Sequence, residues 1–392
     1  MASIARFTRT RTDKAGRQVV TERWRARYRD ASGREHARHF VKKADAQRWL
    51  NEVTASVVTG QYVDPKAGRM PFRDYAEQWR KMQAHRPSSQ AHTETMLRRH
   101  AYPTLGDRPL NSVLPSEVQA WVKRLGTEDK ASKRKALSPS TIGVVHSIVS
   151  SVMKAAVRDR RIMANPCEGT KLPKPEKKQV VPPTTEQVDV LRKAMPDRLG
   201  ALVTITAGTG MRQGEVLGLT VDRLDMLRRE VRVDRQLVTM AKDTPKFGPV
   251  KTDASVRTIP LPVVVVDALA AHLAAYPAGP DGLVFTQSNG DPWTRQRFGH
   301  VWRPAARAAG LPVGSGLHGL RHYYASLLIR FGESVKTVQA RLGHATAAET
   351  LDTYSHLWPD SDDRTRDAID AVMGGSAQAA ALADPVRTAH RR

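Results

Sequence analysis

Apolar and polar residues follow two different periods along this chain. Near the N-terminus, Trp24, Ala26 and Tyr28 alternate with arginines, which is the period of a β-strand. A turn-like Asp-Ala-Ser-Gly segment follows, then a second extended segment, and from Ala46 onward apolar residues recur at helical spacing. Residues 1–62 are therefore predicted to form a small sheet backed by one helix.

Helical spacing dominates the next hundred residues. Apolar stripes predict four helices, at 72–86, 88–100, 116–125 and 138–160. Ser138 followed by Pro139 suits the start of the last of these, because serine caps a helix and proline fits its first turn. We expect a compact four-helix domain over residues 72–170, preceded by a linker that lacks periodicity.

A run rich in proline and lysine, residues 171–183, is the clearest domain boundary. The largest domain is then expected over 184–373, mostly helical but with two β segments at 230–240 and 256–261. Residues 374–392 are rich in alanine and are expected to form a mobile tail. The predicted fold class is a multidomain, mainly α protein with small β-sheets.

The net charge changes what such a protein is expected to bind. Lys plus Arg number 63 against 39 Asp plus Glu, a formal charge of +24, so a polyanion is the default ligand. A ribosomal or merely solubilising charge, or an ordinary solvated sheet face, stays open as an alternative. The candidate DNA-binding residues are Arg23, Arg25, Arg27, Arg29, Lys133, Arg134, Lys135, Lys177 and Lys178.

Cysteine content and hydropathy limit the remaining classes. Cys167 is the single cysteine, which excludes an internal disulfide and any multi-cysteine metal site. The N-terminal residues contain no signal-peptide pattern, and no apolar run approaches 18 residues. We expect a soluble protein of the cytoplasm, associated with the nucleoid and not with a membrane.

Five places in the largest domain carry residues suited to phosphate chemistry. Arg212 and Glu215 lie three residues apart where a glycine-broken turn enters a helix, a position suited to an anion. Further along the chain come Lys251, the pair His318 and Arg321, His344, and finally Tyr354. Taken singly, the arginine–glutamate pair and the lysine are weak signals, because such residues are commonly surface charges.

A metal site was weighed against this interpretation. His318 and His322 are separated by four residues, and His344 could supply a third imidazole. The glutamate of a zinc-protease helix is missing between the two histidines, however, and Arg321 would place a cation beside the metal. We therefore expect neither a metal nor another cofactor.

Five motifs, in this order along the chain, resemble those of the tyrosine recombinases, the phage integrase family. They are TGMRQGEVLGL, VKTDASVRTIPL, HGLRHYYAS, LGH and TLDTYSHL. The resemblance covers residues 72–373, and residues 1–60 resemble more weakly the arm-binding modules of integrases. It implies a site-specific recombinase that cuts and rejoins DNA attachment sites through a 3′-phosphotyrosyl intermediate, integrating or excising a mobile element. It also implies a homotetramer on DNA, with a host architectural factor and an excision directionality factor as possible partners.

The resemblance assigns roles to the matching residues. Tyr354 would be the nucleophile, Lys251 the general acid, and His318 a proton-handling partner. The group that binds the phosphate would be Arg212, Arg321 and His344, with Glu215 orienting the site. Within this scheme Tyr323 and Tyr324 are rival nucleophiles and Lys246 is a rival acid, while His322 and His356 are expected to be structural or to face DNA.

Two other functions remain open on the sequence. A strand-relaxing topoisomerase of type IB could carry the same set of residues, and a basic architectural DNA-binding protein could carry an inactive remnant of it. The first differs in not joining two duplexes, and the second in forming no covalent complex with DNA.

Overall fold

A computed structural model describes residues 2–12, 18–29, 33–58, 66–129, 135–176, 179–239, 244–358, 366, 369–370 and 373. The predicted fold class is confirmed: helices predominate and the sheets are small. The chain divides into two compact units, residues 1–176 and 177–392, and the division falls within the proline- and lysine-rich segment.

The first unit opens with a three-stranded antiparallel sheet and one helix. These elements are β1 (Ser3–Thr12), β2 (Gln18–Arg29), β3 (Glu35–Phe40) and α1 (Lys43–Val58). Strand β1 was not predicted, because Thr and Arg replace the apolar residues that would have marked a buried face. It is held by pairing with β2 along its own whole length, from Ser3 opposite Arg27 to Thr12 opposite Gln18.

The alternation along β2 separates the two faces of this sheet. Ala26 and Tyr28 are buried against Ala46 and Leu50 of α1, which forms a small core on one side. The arginines that alternate with them point to the other side, where Ala5, Ala37 and His39 on the neighbouring strands are exposed. We call this side, with Arg23, Arg25, Arg27 and Arg29, the arginine face.

Helices make up the rest of the first unit. They are α2 (Phe72–Met82), α3 (Pro87–Met96), α4 (Tyr102–Leu105), α5 (Pro115–Leu125) and α6 (Pro139–Arg158), with a π turn, Leu97–Ala101, between α3 and α4. Proline begins three of them, and the Ser138 hydroxyl accepts a hydrogen bond from the Thr141 amide at 3.3 Å to cap α6. Their apolar faces share one core, which includes Phe72, Trp121, Ile142 and Val149.

Helix α6 is long and apolar enough, by length and composition, to cross a membrane. Its residues Ile142, Val145, Val149 and Val152 are at most 1% exposed and lie in the core of the helical domain. The burial of this stripe accounts for the apolar composition, so α6 is a core helix.

The second unit contains the remaining helices and strands. The helices are α7 (Thr185–Ala194), α8 (Asp197–Thr209), α9 (Gln213–Leu217), α10 (Val263–Ala275), α11 (Arg295–Ala308), α12 (His318–Arg330), α13 (Val335–Leu342) and α14 (Ala347–Tyr354). The strands are β4 (Leu224–Asp225), β5 (Glu230–Val233), β6 (Arg235–Val238), β7 (Lys246–Pro249) and β8 (Arg257–Pro260). Antiparallel β4, β5 and β8 form one sheet, and β6 with β7 forms a hairpin.

The β segment predicted at 230–240 is two strands in two different sheets. Asp234 separates β5 from β6, and its carboxylate accepts from the Nε atoms of Arg223, at 2.9 Å, and Arg235, at 3.4 Å. This local network of opposite charges holds the chain at the point where it leaves one sheet for the next. Strand β7 was also missed, because its Lys-Phe-Gly-Pro sequence has the glycine and proline of a turn.

Several predicted features lie outside the described residues. These are Lys133, Arg134, Lys177, Lys178 and the tail 374–392. Lys135, in contrast, is among the described residues. It is exposed and lies just before Ser138, the cap of α6.

Candidate active site

Arg321 lies at the centre of the second unit, one turn into α12 and 1% exposed. Its Nη1 donates to the Gly210 carbonyl at 2.8 Å and its Nη2 to the Leu342 carbonyl at 2.7 Å. Gly210 ends α8 in the left-handed conformation, where a side chain would meet the ring of Tyr324 at 2.6 Å. Two helix ends therefore hold this guanidinium, and three of its five N–H donors are left for a ligand.

Arg212 lies beside it at the start of α9. Its Nη1 donates to Glu215 Oε1 at 3.0 Å and to the Ser255 hydroxyl at 3.2 Å, and its Nη2 donates to the Gly343 carbonyl at 3.1 Å. Gly343 ends α13 in the left-handed conformation, adjacent to the Leu342 carbonyl that accepts from Arg321. The two guanidiniums are thus anchored to consecutive carbonyls at one helix end.

Glu215 is buried beneath two arginines, Arg212 at the start of α9 and Arg257 in β8. It accepts from the Arg212 backbone amide at 2.9 Å, and its second partner is Arg257, whose Nη2 donates to Oε2 at 2.9 Å. Burial raises the pKa of this carboxyl, but Arg257 and Arg212 outweigh burial and leave the pKa below its usual value. The carboxylate therefore stays charged and orients two arginines.

Arg257 was missed by the sequence analysis. It occurs in the VKTDASVRTIPL motif, yet its partner Glu215 is 42 residues away in sequence, so no local spacing joins them. It also donates from Nε to the Arg341 carbonyl at 2.8 Å, which ties β8 to the end of α13.

Lys251 lies in the turn between β7 and β8 and is exposed. The next residue, Thr252, is hydrogen-bonded through its hydroxyl to Ser255 at 2.9 Å, and Ser255 in turn accepts from Arg212. The turn that carries Lys251 is therefore attached to the arginine pair. The rival Lys246 lies on β7, opposite Val238 in the hairpin.

Tyr354 ends α14 with its side chain 1% exposed. Its hydroxyl lies 2.8 Å from Nδ1 of His322, and the His322 ring meets the His318 ring edge-on, with centroids 4.6 Å apart. Burial, opposed by Arg321, raises the pKa of Tyr354 to about 12. The phenol is therefore protonated at neutral pH and needs a proton acceptor before it can act as a nucleophile.

His344 lies on the other side of this ring. Its imidazole is parallel to the Tyr354 ring at a centroid distance of 6.5 Å, and its Nδ1 is hydrogen-bonded to the Thr350 hydroxyl at 2.8 Å. Burial and Arg321 lower the pKa of His344 to about 4, and burial with Arg321 and Arg212 also lowers the pKa of His318. Both imidazoles are neutral at neutral pH, so the positive charge of the site comes from its arginines.

Arg321 itself keeps its charge despite its surroundings. Burial, followed by repulsion from Arg212 and Arg257, lowers the pKa of its guanidinium to about 9. Three guanidiniums close together with one carboxylate leave an excess of positive charge in a poorly hydrated place. Such a site favours an anion that gains charge during reaction, as a phosphodiester does in its transition state.

The rival groups make other contacts, although the Tyr324 ring lies in the same small core as Tyr354. The Tyr323 hydroxyl is 3.1 Å from the Thr185 hydroxyl of α7, and Tyr324 packs in the small core around Ile329 and Leu342. His356 lies 2.9 Å from the Val180 carbonyl through Nε2. Within the described ranges, no group of three or more His, Cys, Asp or Glu side chains is arranged to hold a metal ion.

Four separate elements thus bring together Arg212, His318, Arg321, His344 and Tyr354, with Glu215 beneath them. Residues 184–360 match the Phage integrase family, and residues 72–172 match the Phage integrase central domain. The prophage phiRv2 integrase of Mycobacterium tuberculosis is 30% identical over 355 residues, covering 87% of this chain and 90% of the relative. This chain belongs to the phage integrase family.

The protein is therefore a tyrosine-type site-specific recombinase, an enzyme that breaks and rejoins DNA strands. The integrase of Mycobacterium phage D29 is 25% identical over 328 residues, covering 79% of this chain and 83% of that one. Two solved structures share the fold. The Tn1549 transposon integrase in complex with transposon right end DNA has a TM-score of 0.66 at 24% identity, covering 78% of this chain and 100% of that chain. The lambda integrase dimer bound to a COC′ core site has a TM-score of 0.56 at 15% identity, covering 90% of this chain and 95% of that chain.

Proposed function

We propose that Tyr354 is the nucleophile of this recombinase and forms a 3′-phosphotyrosyl link with DNA. The supporting observation is that its hydroxyl shares one buried site with Arg321, whose remaining donors are suited to a phosphate. The phenolic oxygen attacks phosphorus, and the 5′-oxygen leaves. Because the link preserves a phosphoester, a 5′-hydroxyl from another strand can reverse the step without ATP.

Arg212 and Arg321 bind the non-bridging oxygens in this proposal. Backbone carbonyls hold both guanidiniums, and Glu215 also holds that of Arg212, so no reorganisation is needed as charge develops on the phosphate. His344 donates a hydrogen bond from Nε2 to the phosphate: its Nδ1 is hydrogen-bonded to the Thr350 hydroxyl, and its Nε2 lies 3.8 Å from Glu349 Oε1, beyond hydrogen-bond distance.

Lys251 is proposed to protonate the leaving 5′-oxygen. It is exposed on a turn joined to Arg212 through Ser255, which leaves its ammonium group able to reach an oxygen outside the buried site. His318 lies at the N-terminus of α12 beside His322 and handles a proton at the edge of the site.

We further propose a division of labour among the domains. Residues 1–62 bind arm-type DNA through the arginine face, 72–170 bind the core site, 171–183 form a basic linker, and 184–373 carry the catalytic site. Related solved structures include the Tn1549 transposon integrase in complex with DNA and a lambda integrase tetramer bound to a Holliday junction. By analogy this chain acts as a homotetramer on two attachment sites of a mobile element, in the cytoplasm, with host and directionality factors as possible partners.

The test of this proposal is the covalent complex on nicked suicide DNA. Tyr354→Phe should bind the core site with unchanged affinity and form no covalent complex on a denaturing gel, because it removes one oxygen. Tyr323→Phe and Tyr324→Phe make the same one-atom change on α12 and should keep the band. A covalent band with Tyr354→Phe contradicts the proposal, and a band without joining of two duplexes would point to a topoisomerase.

A further inference from the structure

His322 is the side chain that contacts the phenolic oxygen of Tyr354, and the scheme above gives it no role. Its Nδ1 lies 2.8 Å from that oxygen, a full hydrogen-bond contact between α12 and α14. The His318 ring, four residues earlier on the same helix, meets the His322 ring edge-on at a centroid distance of 4.6 Å. His322 therefore contacts both His318 and the reacting oxygen.

The protonation states of His322 and Tyr354 depend on burial and on the groups that face them. Its own helix contributes His318 and Arg321, while His344 and Tyr354 face it from the segments that follow α13. Burial, followed by the neighbours His318, Arg321 and His344, lowers the pKa of His322 to about 4, while burial keeps the Tyr354 phenol protonated. The tautomer that carries its proton on Nε2 leaves Nδ1 to accept from the Tyr354 Oη–H, and this is the tautomer that can take up the phenolic proton.

We propose that His322 is a catalytic residue that takes the phenolic proton of Tyr354 during strand cleavage and returns it during rejoining. The inference rests on the proposed function, because it needs Tyr354 to be the nucleophile. In cleavage the Oη–H bond breaks towards Nδ1 as the Oη–P bond forms, and the P–O5′ bond breaks while the 5′-oxygen takes a proton from Lys251. Rejoining reverses each transfer: the 5′-hydroxyl returns its proton to Lys251, and Oη regains its proton from His322.

DNA binding raises the basicity of the His322 imidazole, which is low in the free protein. The imidazole is a weak base because burial and the positive charge of Arg321 disfavour its cationic form. A phosphate between Arg212 and Arg321 brings negative charge next to that arginine and favours the protonated imidazole. Proton uptake by His322 is thus coupled to the arrival of the scissile phosphate.

The first test is single-turnover cleavage of nicked suicide DNA by His322→Ala. We expect the rate to fall by about 10²–10⁴, the usual contribution of a general base, with affinity for the core site unchanged. Added imidazole should restore part of the rate, because the deleted ring leaves room for it beside Oη. His356→Ala is the matched control: its imidazole lies two residues after Tyr354 but is paired with the Val180 carbonyl, so added imidazole should not raise its rate.

A second variant separates chemistry from positioning. His322→Asn keeps an acceptor near the Nδ1 position but cannot take up a proton, so we expect wild-type thermal stability with slow cleavage that accelerates as pH rises. Cleavage by His322→Asn at the wild-type rate would overturn the proposal, as would a slow His322→Ala that no added base restores. If Tyr354→Phe also forms the covalent complex, the proposed function fails instead.

A third measurement shows whether His322 exchanges a proton with the phenolic oxygen of Tyr354 or with the leaving 5′-oxygen. A substrate with sulfur in place of the bridging 5′-oxygen releases a thiolate that needs no general acid. It should restore cleavage to Lys251→Ala and leave His322→Ala slow. Restoration of His322→Ala by this substrate would place the histidine on the leaving group and overturn the proposal.

Discussion

Two regions of this protein use arginine in opposite ways. In the second unit, Arg321 is 1% exposed and is held by two backbone carbonyls. On the arginine face of the N-terminal sheet, Arg25 is exposed and the Arg29 side chain is 61% exposed. Glu35 lies 3.8 Å from Arg29, and Arg25 lies opposite Ala5 and His39 on the adjoining strands.

This difference separates catalysis from attraction. A buried charge acts through a low dielectric and at a fixed place, so each interaction is strong and depends on geometry. An exposed arginine is screened by salt and mobile, so it attracts a polyanion without demanding one arrangement. Substitutions in the first region should change stability or rate, and those in the second should change salt dependence.

The largest effect is expected from Glu215→Gln. It leaves Arg257, whose side chain is 5% exposed, without its counter-charge, and breaking a buried pair costs about 3–5 kcal/mol of the free energy of unfolding. Chemical denaturation should detect it. Asp189→Asn makes the matched change in the exposed pair of Asp189 with Arg192 on α7, which has the three-residue spacing of Arg212 and Glu215, and it should cost about 1 kcal/mol or less. Equal losses in both variants would remove the distinction between buried and exposed charges.

Next in size is the loss of rate in Arg321→Ala. Removing a preorganised donor to the phosphate should slow single-turnover cleavage by about 10²–10³ while site affinity changes little. Arg321→Lys keeps the charge but loses the planar fork, so it should remain slow. A rate that falls no further than affinity would mean that Arg321 only holds DNA, as the exposed arginines do.

Acidic pH should lower the stability of the protein through the buried histidines of the site. The pKa of His322 and that of His344 are lowered to about 4 from 6.5, so the unfolded chain binds protons that the folded chain does not. Their contribution to stability is complete above pH 6.5 and is lost as the pH falls towards 4. We expect the difference in Tm between wild type and His344→Asn to shift in favour of the variant between pH 7 and pH 5. A difference independent of pH contradicts this.

The smallest effect is expected on the arginine face. Arg25→Gln with Arg29→Gln should lower the slope of log affinity against log salt by about 2 for arm-type DNA, because each phosphate contact contributes about 0.9. Cleavage of a short core site should not change. Arg6→Gln with Arg38→Gln removes the same charge from the same sheet, but by strand register these residues lie on the side of Trp24 and Ala26. An equal change in slope would show that only net charge matters.

The fold class and most helices could be predicted, because apolar periodicity is local. The start of α6 at Ser138-Pro139 and the two faces of β2 follow directly from neighbouring residues. Strand β1 could not be predicted, since its polar sequence becomes a strand only by pairing with β2. The break at Asp234 depends on Arg223, eleven residues earlier, and was missed for the same reason.

Residue types and motif order are enough to identify the groups that this protein can bring to a phosphate: its arginines, histidines, lysine and tyrosine, in an order that resembles one family. Which of these groups meet depends on how the chain packs. Arg257 reaches Glu215 across 42 residues, and His322 reaches Tyr354 across 32. The physical reason is that residue type and spacing act along the chain, whereas burial, hydrogen-bond distance and the resulting pKa shifts depend on packing between distant elements.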